Sequence, residues 1–141
     1  MLKGIPTNLS PELFKILLEM GHGDEIVLAD GNFPASSHAK RFVRADGHDI
    51  PSLLESIMKF FPLDTFVEAP VKFMETVDPN EPEPPIWKVY QNLLTEATGT
   101  KVEIEYVDRF EFYNQAREAY AILATSESAL YGNIILKKGV I

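Results

Sequence analysis

Short apolar runs of strand length alternate along this chain with segments of helical periodicity, and that alternation restricts the fold more than any other feature. Ser10-Pro11-Glu12 has the signature of a helix start, with Ser as N-cap, Pro at the first helical position and an acid at the positive end of the dipole. Leu13, Phe14, Leu17 and Leu18 follow on one stripe, and Gly21 is the natural stop. Residues 25–29 are a strand-length apolar run ended by Asp30-Gly31, and residues 41–45 predict a weaker strand closed by Asp46-Gly47. Pro51 opens a second helix with Leu53, Leu54, Ile57, Met58 and Phe61 on its buried side. Residues 65–77 read as extended, with Pro70 arguing for an edge or a bulge. Residues 86–97 predict a third helix stopped by Gly99, and residues 102–107 alternate as a half-solvated strand does. Residues 110–119 predict a helix with an aromatic face, and residues 120–125 and 133–136 predict two more strands. Helices and strands in alternation predict a layered α/β fold with a mixed or parallel sheet, and the length predicts a single domain over residues 1–141.

Composition removes several functions. The chain has no cysteine, so it has no disulfide, thiolate nucleophile or Cys-based metal site. Three histidines make a metal centre unexpected. The formal net charge of -8 repels phosphate backbones, so nucleic acid is a poor partner. No apolar stretch is long enough to span a bilayer, and the N-terminus lacks a signal-peptide core, so no membrane partner and a cytoplasmic location are expected. The charge is uneven. Residues 46–85 hold nine acids against two bases, and residues 75–85 carry four of the chain's 10 prolines. Proline blocks helix and central strand alike, so this stretch reads as an exposed loop with solvated charges.

A few residues can carry chemistry. His22 lies between two glycines, so its ring can approach a ligand closely. Histidine gives and takes protons near neutrality, although here it also fits a helix-ending turn. Asp30 follows a buried-looking strand and can accept hydrogen bonds from sugar hydroxyls or bond its own backbone in a turn. Arg109 stands beside Phe110, Phe112 and Tyr113, a cation with aromatics that suits a sugar face, although an aromatic stripe at helical spacing is usually core. Tyr131-Gly132-Asn133 offers donors and acceptors on a turn before a strand. Asp30, Asp46 and Arg109 all stand just past strand ends, where open α/β sheets collect ligands. No phosphate-binding loop, EF-hand or nucleophile elbow occurs. Cofactor-free proton transfer or simple binding of a small polar molecule remains.

Seven segments in order resemble the ribose pyranase and fucose mutarotase family. They are Gly21-His22-Gly23-Asp24-Glu25-Ile26, Asp30 with Phe33-Pro34, Arg44-Ala45-Asp46-Gly47, Leu63-Asp64, Arg109-Phe110, Phe112-Tyr113, and Tyr131-Gly132-Asn133 running on to Lys137-Lys138-Gly139. The closing segment favours the fucose branch. The resemblance implies a three-layer α/β/α fold with a mixed, mostly parallel central sheet. It also implies a homo-oligomeric ring, a decamer of two pentamers, with sites near subunit interfaces. The implied activity is interconversion of the α- and β-anomers of L-fucose without cofactor or metal. His22 is then the proton donor, Asp30, Arg109, Tyr131 and Asn133 bind the sugar, and Asp64, Met74 and Tyr113 match further positions of vertebrate relatives. Some bacterial relatives carry a histidine where this chain has Asn32. The alternatives are pyranase-type isomerisation of D-ribose and non-catalytic binding of a monosaccharide.

Overall fold

A nine-residue helix, α1 (Pro11–Glu19), leads into the first strand, β1 (Glu25–Ala29). The chain continues through α2 (Ala35–His38), β2 (Phe42–Ala45), α3 (Ile50–Ile57), β3 (Val71–Met74), α4 (Pro85–Thr98), β4 (Ile104–Val107), α5 (Arg109–Glu118), β5 (Ala121–Thr125) and β6 (Ile134–Lys137). These elements come from a computed structural model that describes all 141 residues. The strands form one six-stranded sheet in the order β2-β5-β1-β6-β3-β4. All pairs are parallel except the two made by β6, which is antiparallel to β1 and to β3. The reason is the connection. Residues 126–133 are too few for the crossover of about a dozen residues that a parallel return requires, so β6 turns back from the end where β5 stops.

Each strand alternates its side chains between two apolar layers. In β1, Ile26 and Leu28 face the larger core under α1, α3 and α4, while Val27 and Ala29 face the smaller one under α2 and α5. Phe73, Tyr90, Leu53 and Leu54 fill the first layer, and Phe112 and Ala116 fill the second. The three-layer arrangement follows from this division.

Local signals explain most boundaries. Ser10 accepts the Leu13 N–H at 3.1 Å and starts α1, and Asp49 accepts the Ser52 N–H at 2.9 Å and starts α3. Four details differ from the sequence reading. α1 stops at Met20 in an extended conformation, and the left-handed residue of the turn is Gly23, not Gly21. Only Val71–Met74 of residues 65–77 is strand, and it lies between β6 and β4, so Pro70 precedes an interior strand. β4 starts at Ile104, and α2 is a single short turn with no periodic signal.

The end of β6 is clamped. The Gly139 N–H donates to Pro62 O at 2.7 Å, and the Asp64 N–H donates to Lys137 O at 3.0 Å. A Cβ on Gly139 would lie 2.5 Å from Leu63 O and 2.8 Å from Asp64 Cα, both backbone atoms that cannot swing away. Gly139→Ala should therefore destabilise the protein by about 1–3 kcal/mol, seen as a drop of several degrees in melting temperature. An unchanged melting temperature contradicts this account of the clamp.

Candidate active site

The C-terminal ends of β1, β3 and β4 meet the N-terminal end of β6 at one side of the sheet, because β6 is antiparallel. A cleft of about 250 Å³ opens there. Asp30 enters it from the end of β1, Met74 from the end of β3, and Tyr131 and Asn133 from the turn before β6. Asp108 caps α5 by accepting the Phe110 and Glu111 N–H groups, and this sets Arg109 at the first helical position on the cleft.

Asp30 is buried at the junction of β1 and β6. Its backbone N–H donates to Asn133 Oδ1 at 2.8 Å, and its carboxylate accepts the Asn32 N–H at 3.0 Å. Burial pushes its carboxyl above the ordinary carboxylate range, against the opposing pull of the Asn32 and Phe33 N–H groups. With Oδ1 occupied, the Asn133 amide keeps its NH₂ as a donor.

Tyr131 has φ 58°, the left-handed region, which costs a residue with a Cβ about 1–2 kcal/mol. Surrounding bonds hold it there. The Trp87 indole N–H donates to Tyr131 O at 3.0 Å, and the Tyr90 hydroxyl donates to Gly132 O at 2.8 Å. Burial pushes the Tyr90 phenol well up, so it remains a donor. A Cβ on Gly132 would lie 3.1 Å from Ala129 O and from Glu127 Cγ. The buried Glu127 carboxylate braces this turn by accepting the Ile50 and Ala129 N–H groups, each at 3.1 Å.

Arg109 Nε donates to Tyr113 Oη at 3.0 Å, and its guanidinium is in no ion pair of the molecule. Tyr113 packs edge-on against Phe33 at 5.3 Å and His38 at 5.6 Å, and Arg117 donates to His38 Nε2 at 2.9 Å. The cleft thus offers a buried acid, an unpaired cation, an amide donor and a phenol, with Met74 and Phe33 as apolar wall.

His22 and Asp64 lie elsewhere. Both are tied to the opposite end of β6, where the Gly23 N–H donates to Lys138 O at 2.8 Å and the Asp64 N–H donates to Lys137 O. His22 Nε2 is 3.1 Å from Asp64 Oδ1. The Phe66 backbone N–H, and then the His22 ring, hold the Asp64 carboxyl below its ordinary value. An ionised carboxylate only accepts, so Nε2 carries the proton and Nδ1 is the free position. Phe66 packs on the ring at 5.3 Å between centroids. Five residue steps separate Asn133 from Lys138, roughly 17 Å at the rise of a strand. His22 in one chain therefore cannot reach that chain's cleft.

The structure gathers Asp30, Met74, Arg109, Tyr113, Tyr131 and Asn133 in one cleft and pairs His22 with Asp64 at the far end. Asp46, past the end of β2, is held by Arg44 at 2.9 Å and stays out of the cleft. Sequence reasoning missed Glu81, Val77 and Leu130, which line the cleft from the acidic loop and the turn before β6. Glu81 meets Tyr131 across 50 residues of sequence, a contact with no local signal. A larger groove of about 790 Å³ along the N-terminal segment and α1 is mostly apolar, and its Lys15 and Glu19 pair with each other at 2.8 Å.

The profile of the RbsD / FucU transport protein family matches residues 3–141. The chain belongs to that family. It is 54% identical to the fucose mutarotase of Mus musculus, over 99% of this chain and 95% of the relative. Its fold is similar to the crystal structure of the fucose mutarotase in complex with L-fucose from Streptococcus pneumoniae, with TM-score 0.93, 48% identity and 99% of each chain covered. The likeness to Bacillus subtilis RbsD complexed with D-ribose is lower, with TM-score 0.76 and 26% identity over 100% of this chain and 99% of that one. The three-layer fold with its mixed, mostly parallel sheet is the fold of these neighbours.

The raised Asp30 carboxyl has a consequence for stability. The folded state holds its proton more tightly than the unfolded chain does, so the contribution is full below the ordinary value of about 4 and is lost as pH rises through the folded value. Asn at this position can still accept the Asn32 N–H. Asp30→Asn should melt higher than the parent at pH 7, with the gap closing toward pH 4. Equal melting temperatures at pH 7, or a gap that widens on acidification, contradicts the burial argument.

Proposed function

We propose that the protein interconverts the α- and β-anomers of L-fucose by acid–base opening and closure of the sugar ring, without a cofactor. The observation that carries the reading is a cleft holding Asp30, Arg109, Tyr131 and Asn133 together, in a chain similar over 99% of its length to a fucose mutarotase bound to L-fucose. About 250 Å³ lies below the roughly 300–1,000 Å³ of sites for larger ligands and suits one monosaccharide ring.

Mutarotation requires two proton movements. The ring oxygen gains a proton, the anomeric hydroxyl loses one, the C1–O5 bond opens to the aldehyde, C1–C2 rotates, and closure on the other face reverses both transfers. Arg109 and the Asn133 amide donate to sugar oxygens, and Asp30 accepts from a hydroxyl. Met74 supports the apolar edge, and Tyr113 holds Arg109. In its doubly protonated form His22 supplies the Nδ1 proton to the ring oxygen, while its Nε2 proton stays donated to Asp64, which orients the ring.

Since His22 and the cleft lie at opposite ends of one subunit, the reading requires a second copy: His22 of one chain serves the cleft of its neighbour. Both ends carry apolar side chains that suit such a contact. Phe66 beside His22 is 75% exposed, and Val77, Leu130 and Phe110 around the cleft are 73%, 73% and 71% exposed. Head-to-tail contacts of this kind close into rings, and the family resemblance gives the ring as a decamer of two pentamers. The same reading sets the enzyme in the cytoplasm, acting on free sugar.

Saturation-transfer NMR on L-fucose tests the function, with D-ribose run in parallel. The protein should speed exchange of the fucose anomers well above the spontaneous rate, and His22→Ala should remove about 10²–10⁴-fold of that gain. Fucose that raises the melting temperature while exchange stays spontaneous would mean a binding protein. Faster turnover of ribose than of fucose would mean a pyranase.

A further inference from the structure

The acidic, proline-rich loop between β3 and α4 has no task in the reaction as described, yet it reaches the cleft. Its turn is braced internally. The Glu81 N–H donates to Asp78 O at 3.0 Å, and the Asn80 N–H donates to Asp78 Oδ1 at 2.9 Å. From this turn Glu81 Oε2 accepts the Tyr131 hydroxyl at 2.9 Å, and the Val77 N–H donates to the same hydroxyl oxygen at 3.2 Å.

A phenol has one proton and two lone pairs. In Tyr131 the proton is committed to Glu81 and one lone pair to Val77. One lone pair is left for the cleft. Toward a bound sugar Tyr131 is therefore an acceptor, and it can take a proton only if its own proton leaves toward Glu81. The left-handed backbone at Tyr131, fixed by Trp87 and Tyr90, holds the phenol in this bridging position.

We propose that Glu81 is the proton acceptor behind Tyr131 and that the two form the second proton carrier of the reaction, opposite His22. The proposal rests on the mutarotase reading. In ring opening, the anomeric O–H bond breaks and its proton moves to Tyr131 Oη as the Tyr131 proton moves to Glu81 Oε2. The electron pair left on the anomeric oxygen forms the aldehyde carbonyl as the C1–O5 bond breaks. O5 keeps that bond's electrons and takes the Nδ1 proton of the doubly protonated His22 of the neighbouring subunit, whose ring is left neutral with its Nε2 proton still donated to Asp64. Closure reverses every transfer, so no proton is consumed. Asp30 suits this task less. It is buried, its carboxylate is engaged by the Asn32 N–H, and no second group stands behind it to take a proton onward. Glu81 is exposed and can re-equilibrate with solvent. The charged and titratable groups facing it are Tyr131, then Asp30, Arg109 and Tyr113 around the cleft, and Asp78 and Glu83 on its own loop.

Glu81→Gln and Glu81→Ala separate proton acceptance from positioning. Gln keeps an oxygen that accepts from Tyr131 but takes no proton. Anomer exchange of L-fucose is measured for both variants and the parent across pH and sugar concentration, with melting temperatures recorded to confirm folding. Both variants should lose about tenfold to a hundredfold in kcat with KM nearly unchanged, the lower part of the range for acid–base catalysis. The pH dependence of kcat should also flatten in both. Recovery of parental kcat by Gln reduces Glu81 to a positioning contact and overturns the proposal. A loss confined to KM, or no loss in either variant, overturns it as well. Exchange at the spontaneous rate by the parent protein sinks the mutarotase reading itself.

Discussion

One strand holds this molecule's chemistry in place. β6 is the last strand in the chain and the only one that runs against its neighbours, and it sits in the middle of the sheet between β1 and β3. At its start, the Asn133 side chain accepts the backbone N–H of Asp30, so the strand and the buried acid are set by one bond of 2.8 Å. At its end, Lys137 and Lys138 accept the N–H groups of Asp64 and Gly23, so the histidine loop is hung from the same strand. Interior sheet positions have both edges paired, and they are the least free to move. β6 is therefore a rigid spacer, and the proposed reaction puts one half of its acid–base chemistry at each tip.

Under the proposed reaction, that geometry calls for assembly of the chain. Asp30, Arg109, Tyr131 and Asn133 converge where strands β1, β3 and β4 end, the usual ligand position in an open α/β sheet. The one histidine hydrogen-bonded to a carboxylate is a full strand length away. A fold of this size could have carried both on one side. In the proposed reaction their separation makes each cleft dependent on a neighbour, and the exposed Phe66 and Leu130 suit an apolar contact there. The clamp at Gly139 and the strained turn at Tyr131 sit at the two tips, where positional error matters most.

Much of this was legible in the sequence where the signals are local. The helix cap at Ser10, the apolar run of β1 and the glycine-flanked His22 follow from residues within a few positions of one another. The cleft residues after strand ends followed from the strand pattern and the family resemblance together. What was not legible depends on distance. The interior position of β3 is set by pairing with β6, which nothing near Pro70 encodes. Glu81 reads as one more solvated acid in a proline-rich loop, and only the fold brings it 2.9 Å from Tyr131. The separation of His22 from Asp30 was hidden for the opposite reason. The two are only eight residues apart in sequence, but those residues include an extended strand, which carries them to opposite ends of the sheet.

The central claim is that a complete site draws on two copies of the chain. Complementation between two inactive variants tests it directly. His22→Ala lacks the proposed proton donor but keeps its cleft, and Tyr131→Phe lacks the proposed cleft proton carrier but keeps its histidine. Each should leave L-fucose anomer exchange near the spontaneous rate when assembled alone. Refolded together in equal amounts, they should recover about a quarter of parental activity, because one head-to-tail contact in four then joins an intact histidine to an intact cleft. Mixed assemblies that remain as inactive as the separate variants would show that both groups act within one chain, and would contradict the account.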